Sequence, residues 1–156
     1  MNTAKTLQIS TTSSEETEDL GSKIGTSLRG GEVILLSSDL GGGKTAFVRG
    51  IARGLGSGDH VSSPTFTISK VYKASNLTLY HFDFYRLHEP GIISHELAEA
   101  LQDETAVVAI EWGEIVASVV PEDNLTVAIK RTGELTRDIQ LSATPGLGYL
   151  LEGIHK

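Results

Sequence analysis

Hydrophobic and polar positions along the chain change their spacing from block to block, and the blocks predict strands and helices in alternation. Residues 32–37 and 106–110 form apolar runs of strand length, and residues 77–82 form a less uniform strand candidate. Apolar runs of this length are typical of strands that are covered on both faces, as in a parallel sheet. Residues 47–55 instead carry an apolar side chain at every fourth position, which predicts an amphipathic helix.

The amino-terminal segment predicts a short strand followed by a helix. Residues 5–9 are a strand candidate, and Ser13 is followed three residues later by Glu16, which is the capping-box pattern of a helix start. Residues 20–28 then place apolar side chains four positions apart, on one face of that helix. Two glycines at positions 30–31 predict its end.

The second half of the chain predicts a strand at residues 66–72 and a helix at residues 94–102. Residues 125–130 and 135–141 flank the polar tetrapeptide 131–134, which is the pattern of a β-hairpin. No internal repeat and no linker rich in Pro or Ser divides the sequence. We therefore expect all 156 residues to form one domain with a three-layer α/β fold, a mixed sheet and a C-terminal β-hairpin.

Charge and the missing cysteine exclude several kinds of function. The chain has 20 acidic residues against 13 Lys and Arg, and its net charge of −7 disfavours unaided binding to nucleic acid or to an anionic membrane. Cysteine is absent, which excludes disulfides, thiolate metal sites and cysteine nucleophiles. The first ten residues lack the apolar core of a signal peptide, and no apolar run is long enough to span a bilayer. We therefore expect a soluble cytoplasmic protein.

The strongest chemical signal is the glycine-rich turn between residues 32–37 and the helix that begins near Lys44. Successive backbone N–H groups can curl around a phosphate there, and the positive end of the helix adds to the attraction. In such a P-loop, Lys44 neutralises phosphate oxygens and the Thr45 hydroxyl ligates Mg²⁺. The residues expected to bind the nucleotide are Asp39, Leu40, Gly41, Gly42, Gly43, Lys44, Thr45 and Ala46.

Ser38 stands where the strict P-loop pattern has its first glycine. If that position needs a positive φ, serine costs on the order of 1 kcal/mol there. If the position is still extended strand backbone, the cost is close to nothing. The alternative interpretation of the whole segment is an ordinary glycine-rich turn between strand and helix, with a solvated lysine.

Two carboxylates follow predicted strands and are candidates for the acidic group that hydrolysis requires beside a metal. Glu111 comes directly after residues 106–110, and Asp83 directly after residues 77–82. Both are expected at the carboxyl ends of strands, where α/β sheets bind their ligands. One can hold Mg²⁺ while the other orients the attacking water; alternatively, either can be a strand-end cap or a salt-bridge partner. The catalytic candidates are thus Lys44, Asp83 and Glu111, and the metal candidates Thr45, Asp83 and Glu111.

Further polar and aromatic residues carry weaker signals. The hydroxyls of Ser62, Ser63 and Thr65 either sense the γ-phosphate or the metal, or cap a local turn. Arg86 either stabilises charge on the γ-phosphate or pairs with a surface acid. Trp112, the only tryptophan, either packs in the core or borders the nucleotide.

The histidines and two threonines of the sequence add little to the predicted site. No histidine has the spacing of a metal ligand, and His81 is interpreted as a strand side chain. The Asn-Lys-x-Asp motif of GTP-binding proteins is absent, which leaves ATP as the expected nucleotide. Thr11 and Thr12, just before the first helix, are the candidates for bordering its base.

Four segments in a fixed order resemble the bacterial TsaE family, formerly called YjeE. They are residues 39–45 (Asp-Leu-Gly-Gly-Gly-Lys-Thr), 63–67 (Ser-Pro-Thr-Phe-Thr), 81–87 (His-Phe-Asp-Phe-Tyr-Arg-Leu) and 110–112 (Ile-Glu-Trp). The first segment is common to many P-loop families, whereas the other three in this order and spacing are far more specific. The resemblance extends over residues 13–141.

The resemblance implies a reduced P-loop NTPase fold and an ATPase that helps to make N6-threonylcarbamoyladenosine at position 37 of tRNAs reading codons that begin with A. It implies TsaD and TsaB as partners, with tRNA reached only through the complex, while TsaC-type enzymes supply threonylcarbamoyl-adenylate. It also implies that ATP and Mg²⁺ are the cofactors, that Lys44 contacts phosphates, that Thr45 and Glu111 serve Mg²⁺, and that Asp83 is needed for hydrolysis.

The chain departs from the family pattern after the P-loop and again after residue 87. Ala46 replaces a hydroxyl residue that commonly follows Thr45, which removes a contact to the α-phosphate. Residues 89–92 lack the acidic pair that the family often has there. We expect the first change to affect nucleotide affinity and the second to affect partner docking.

Two other functions fit the same P-loop. A small-molecule kinase usually carries an arginine-rich lid and an acceptor pocket, and no basic cluster in this sequence suggests such a lid. A nucleotide-gated adaptor would bind ATP without hydrolysis as its function. The two carboxylates, Asp83 and Glu111, are the residues whose replacement separates the adaptor from the ATPase.

Overall fold

The fold is given by a computed structural model that describes residues 4–38, 43–59, 61, 69–84, 93–111 and 118–154. The strands in these ranges are β1 (Lys5–Thr11), β2 (Val33–Ser38), β3 (Ser69–Lys73), β4 (Thr78–Asp83), β5 (Ala106–Glu111), β6 (Leu125–Arg131) and β7 (Arg137–Ala143). The helices are α1 (Ser14–Ser27), α2 (Lys44–Leu55), α3 (Ile93–Gln102) and a 3₁₀ helix (Pro145–Leu151).

All seven strands of the described part form one mixed sheet in the order β1-β7-β6-β2-β5-β4-β3. The four central strands β6, β2, β5 and β4 are parallel neighbours, whereas β7 and β3 run antiparallel to β6 and β4. Because parallel strands end at the same edge, the carboxyl ends of β2, β4 and β5 lie side by side. This edge is where α/β sheets bind ligands.

The sheet is the middle of three layers. Alternate residues of β2 face opposite sides: Ile34 and Leu36 pack in the core beneath α1, α2 and the 3₁₀ helix, whereas Val33 packs with Phe82 and Leu97 in the core beneath α3. Coverage on both faces explains why β2 is apolar at successive positions. The predicted three-layer α/β fold with a mixed sheet is confirmed.

Strands β1 and β7 are apolar on one face only. Leu141 is part of the core on the α1 side, and the partly buried Leu7 packs against that core. The opposite face carries polar side chains that bond to one another, including Thr6 Oγ1 with Ser142 Oγ at 3.1 Å. In these outer strands the hydrophobic pattern therefore alternates, unlike that of the central strands.

Helices α1 and α2 pack closely because small residues face each other. Gly21 and Gly25 of α1 lie against α2, and Gly50 and Gly54 of α2 lie against α1. A Cβ atom at Gly50 would be 2.0 Å from the backbone oxygen of Glu18, so no larger residue fits without a shift of the helices. This contact fixes the position of α2, which begins at the predicted phosphate site.

Ser13 is confirmed as the N-cap residue of α1, and Glu16 reaches back to the residue before it. Glu16 N donates to Ser13 Oγ at 3.1 Å, and the Glu16 carboxylate accepts from the backbone N–H of Thr12 at 2.6 Å. The helix ends at Ser27, slightly earlier than the apolar spacing predicted, and Leu28 is its buried C-cap residue.

Most other predicted elements are found with bounds that shift by one or two residues. Strand β3 begins at Ser69, and residues 66–68 of the predicted strand lie outside the described residues. The hairpin of β6 and β7 is confirmed, but Leu135 belongs to its turn and is 66% exposed. The 3₁₀ helix was not predicted. In the ranges given above, none of the helices combines the length and the apolar character needed to traverse a bilayer.

Candidate nucleotide-binding site

The start of α2 has the backbone geometry that a phosphate-binding turn needs. Gly43 is the N-cap residue, with a left-handed φ of 111°, which glycine adopts without the strain that a side chain would impose. Lys44 is the first helical residue, followed by half-buried Thr45 and buried Ala46. Gly43 has no side chain that could cap the first turn of α2. The backbone N–H groups of that turn can therefore donate hydrogen bonds to an anion. The candidates Asp39, Leu40, Gly41 and Gly42 lie outside the described residues.

Ser38, the departure from the strict P-loop pattern, is the last residue of β2. It is in register with Ile129 of the parallel strand β6, so its backbone is extended. Of the two expectations for this position, the structure therefore supports the one without strain.

Glu111 lies at the centre of the site, at the carboxyl end of β5. Its side chain is almost wholly buried, and each carboxylate oxygen has its own partner. Oε1 lies 3.2 Å from Lys44 Nζ at the start of α2, and Oε2 lies 2.6 Å from Nε2 of the buried His81. The structure thus brings two of the three predicted catalytic residues, Lys44 and Glu111, into direct contact.

The surroundings of Glu111 keep its carboxyl group ionised. Burial by itself raises the pKa of Glu111, but the interactions with His81 and Lys44 outweigh burial, so the pKa lies below its usual value. An ionised carboxylate only accepts hydrogen bonds, so the His81 ring carries a hydrogen on Nε2 and donates it to Glu111.

Asp83, the third catalytic candidate, ends β4 directly beside Glu111. The two residues are register partners in neighbouring parallel strands, so their side chains point to the same face of the sheet. Asp83 is also buried, and the backbone N–H that follows it, at Phe84, donates to the Glu111 carbonyl oxygen at 3.1 Å. Both carboxylates therefore lie on the face of the sheet that α2 covers.

This set of side chains fits Mg²⁺. The ion prefers oxygen ligands, and it is usually held by one or two carboxylates together with phosphates and water. Asp83 and Glu111 supply the carboxylates, and the hydroxyl of Thr45 lies in the first turn of α2, next to Lys44. The metal-binding roles of these three residues stay predictions.

His81 is the residue that sequence reasoning missed as part of this site. It was correctly placed on a strand, but its contact with Glu111 was not expected. One signal was present in the sequence: residues 81 and 83 are two apart, and such residues share a face of a strand. Which side chain they would meet depends on the neighbouring strand, which the sequence pattern does not give.

A small cavity of about 70 Å³ lies beside the start of α2. It is bounded by the first turn of α1, by Ala46 and by the hairpin residues Leu135 and Arg137. The Arg137 side chain is held in place because its Nη1 donates to the carbonyl oxygen of Thr136 at 2.8 Å. The α1 side of the cavity includes Thr17, whose hydroxyl is 2.8 Å from that of Thr11. Thr11 thus lies behind the cavity wall.

Several sequence candidates cannot be placed. Ser62, Ser63, Thr65, Arg86 and Trp112 lie outside the described residues, as do residues 89–92. Their suggested roles stay predictions.

The family model for "Threonylcarbamoyl adenosine biosynthesis protein TsaE" matches residues 11–139. This span contains α2, β4 and β5, and with them Lys44, Asp83 and Glu111. The chain belongs to the TsaE family. The resemblance drawn from four sequence segments is thereby confirmed.

Individual TsaE proteins match most of the chain. The tRNA threonylcarbamoyladenosine biosynthesis protein TsaE of Treponema pallidum (strain Nichols) is 39% identical over 130 residues, which are 83% of this chain and 96% of that protein. The protein of the same name from Bacillus subtilis (strain 168) is 36% identical over 140 residues, or 89% of this chain and 87% of that protein. Both relatives are thus named for one tRNA modification.

A solved structure supports the fold independently. The crystal structure of YdiB from Bacillus subtilis matches with a TM-score of 0.76 and 31% identity, and the match covers 98% of this chain and 96% of that one. The α/β fold class is therefore confirmed by the sheet topology and by this structural neighbour.

Proposed function

We propose that this chain binds and hydrolyses ATP with Mg²⁺ and thereby supports the formation of N6-threonylcarbamoyladenosine at position 37 of tRNAs that read codons beginning with A. Membership of the TsaE family supports the pathway, because the relatives are named for it. The observation that carries the hydrolytic part is the 3.2 Å ion pair between Lys44 and Glu111. It joins the candidate phosphate-binding lysine to a candidate metal-binding carboxylate.

The phosphates of ATP are held, in this proposal, at the start of α2. Lys44 supplies a positive charge, and the first-turn N–H groups after Gly43 supply hydrogen-bond donors and the positive end of the helix. Close packing of α2 on α1 holds these donors in place before the nucleotide arrives. Binding therefore requires little rearrangement of the helix.

The Thr45 hydroxyl and the Glu111 carboxylate would hold Mg²⁺, with Asp83 beside them. When bound, the ion supplies positive charge beside the phosphate oxygens. Glu111 is suited to this role because its pKa is lowered, so the carboxylate is charged at neutral pH. Asp83, next to it on the same face of the sheet, orients the attacking water and accepts its proton.

The nucleoside part of ATP is placed in the cavity beside Ala46. Leu135 offers an exposed apolar surface for the flat face of a base, and Arg137 offers a fixed cation near the phosphates. Because the cavity of about 70 Å³ is smaller than a nucleoside, the base extends over the exposed Leu135 side chain. ATP is the expected nucleotide because the sequence lacks the Asn-Lys-x-Asp motif that reads guanine.

Partners bring the tRNA to this ATPase. A net charge of −7 disfavours a direct complex with a polyanion, so the chain acts on tRNA through a protein complex. Family resemblance supports TsaD and TsaB as the members of that complex. The activity of the isolated chain is expected to be weak and to change when these partners bind.

Titration with ATP, with and without Mg²⁺, tests the binding site in the purified protein. Lys44→Ala is expected to weaken ATP binding about tenfold or more, because a hydrogen-bonded charge is lost from the phosphates. Lys73→Ala is the matched control, since this lysine is exposed on β3 and its loss should change binding by less than about twofold. Equal ATP affinity in Lys44→Ala and the parent would contradict the proposal.

The fate of the γ-phosphate separates the proposed ATPase from a kinase. With labelled ATP, we expect inorganic phosphate as the product, at a rate that TsaD and TsaB alter. Transfer of the label to a small acceptor without release of phosphate would favour the kinase instead. No change of rate or association on adding TsaD and TsaB would contradict the proposed partners.

A further inference from the structure

His81 is a buried polar residue to which the proposed function assigns no task. Its side chain is fully buried in β4, and Nε2 donates to Glu111 Oε2 at 2.6 Å. We infer that His81 is a positioning residue, which holds the Glu111 carboxylate in the orientation that binds the metal. This inference rests on the proposed function of Glu111.

The sheet register explains how the ring reaches the carboxylate. His81 is in register with Ala109 of β5, two residues before Glu111, on the face of the sheet shared with Asp83. The imidazole therefore extends along the sheet toward the carboxyl edge. It is long enough to bond to the neighbouring strand without leaving the core.

Two donors on different oxygens fix the Glu111 carboxylate. His81, on the neighbouring strand β4, donates a hydrogen bond to Oε2, and Lys44, on α2, forms an ion pair with Oε1. A carboxylate held at both oxygens cannot rotate freely about its last bond. In the proposed function Lys44 also interacts with phosphate, which draws it away from Glu111. The hydrogen bond from His81 then continues to orient the carboxylate.

Packing alone does not account for a histidine at this position. Among the residues that the structure describes, no group forms a hydrogen bond with the buried Nδ1 of His81. An unpaired buried polar atom destabilises a fold by about 1–3 kcal/mol, which an apolar residue of similar size would avoid. The bond from Nε2 to Glu111 is the contact that only a donor-bearing side chain provides.

Replacement of His81 tests this role through the dependence of ATP binding on Mg²⁺. Mg²⁺ is expected to strengthen ATP binding, and His81→Leu should raise the Mg²⁺ concentration that gives half of this increase about tenfold. A change of this size is typical when a residue that orients a metal ligand is lost. Binding of ATP without Mg²⁺ should stay within about twofold of the parent. His81→Gln, whose amide N–H can still donate to Glu111, should restore most of the Mg²⁺ response.

Phe82→Leu is the control for simple loss of packing. Phe82 lies on the same strand but faces the other core, beneath α3. This variant should lower thermal stability without shifting the Mg²⁺ dependence. If His81→Leu shifts the Mg²⁺ dependence no more than Phe82→Leu does, or if His81→Gln fails to restore it, the positioning role is overturned.

A spectroscopic measurement on the protein without nucleotide adds a readout that is independent of activity. In ¹⁵N-histidine-labelled protein, His81 should show a slowly exchanging hydrogen on Nε2, assigned by the loss of its signal in His81→Gln. Glu111→Ala should speed the exchange of that hydrogen at least about tenfold, because its acceptor is removed. An unchanged exchange rate would contradict the bond on which the inference depends.

The outcomes separate the two proposals. A parent protein whose ATP binding does not respond to Mg²⁺ would refute the proposed function and the role of His81 together. A parent that responds normally, with a His81→Leu variant that responds equally well, would refute only the role of His81.

Discussion

Glu111 shows how a single residue acquires its properties from neighbours that are distant in the sequence. Its burial favours the neutral acid, but Lys44 and His81 reverse this preference and lower its pKa. The carboxylate is therefore charged in a place with little water, where its interactions with other charges are strong. Asp83, beside it in the register, belongs to the same charged cluster.

Asp83→Asn tests whether hydrolysis is the function. The change preserves the shape of the side chain but removes a base, so ATP hydrolysis should fall about 100-fold or more. ATP binding without Mg²⁺ should change little. The measurement is phosphate release in the presence of TsaD and TsaB, with Glu134→Gln in the exposed hairpin turn as a control. If Asp83→Asn still supports many rounds of tRNA modification, the chain is an adaptor and not an ATPase.

Gly43→Ala tests the backbone of the phosphate-binding turn. An alanine at a φ of 111° is strained by about 1–2 kcal/mol, and the strain should disturb the first turn of α2. Gly31→Ala is a matched control, because Gly31 also has a positive φ (89°) and lies just before β2, at the end of that strand away from the site. Both variants should lose similar stability in urea denaturation, but only Gly43→Ala should bind ATP more weakly. Equal ATP binding by the two variants would contradict a phosphate site at Gly43.

At the scale of elements, the contact between α1 and α2 determines where the candidate site lies. Four glycines remove the side chains that would otherwise separate the two helices. The hydrophobic spacing within each helix does not predict this contact, because it depends on glycines from two different helices. Helix α2 continues through Gly54 to Leu55, and the missing side chain of Gly54 lets it pack on α1.

Gly50→Ala tests the importance of the helix contact. The new Cβ would lie 2.0 Å from the Glu18 backbone oxygen, so the helices must separate, and the free energy of unfolding should fall by about 1–3 kcal/mol. Gly58→Ala is the control, since no atom lies within 4 Å of a Cβ at that position. Chemical denaturation measures both variants. A Gly50→Ala variant as stable as Gly58→Ala would show that the helices do not need this close approach.

At the scale of the whole molecule, the sheet joins segments from both halves of the chain into one site. Strand β2 lies between β5 and β6, so its carboxyl end lies beside strands that come from the second half of the sequence. A ligand that contacts α2, β4 and β5 at once should therefore stabilise the entire fold.

Thermal unfolding with ligand tests this coupling. At ATP and Mg²⁺ concentrations about 100 times their dissociation constant, the folded state gains about 2.7 kcal/mol, so Tm should rise by several degrees. Removing Mg²⁺ with a chelator should reverse part of the increase. Lys44→Ala should show little increase under the same conditions. A Tm that ATP and Mg²⁺ leave unchanged in the parent would contradict the site.

The sequence by itself determined most of the local structure. Apolar runs marked β2 and β5, because strands covered on both faces need apolar side chains at successive positions. Ser13 and Glu16 marked the start of α1, and the glycine-rich turn before Lys44 marked the candidate phosphate site. These signals are readable because they depend on residues that are close together in the chain.

Only the tertiary structure decided which side chains meet. The register of β4 against β5 places Asp83 beside Glu111 and brings the His81 ring to the same carboxylate. The order of the strands brings Lys44 to its other oxygen. Strand order and register result from the packing of all layers together. Contacts between residues that are far apart in the sequence therefore cannot be predicted from a local sequence pattern.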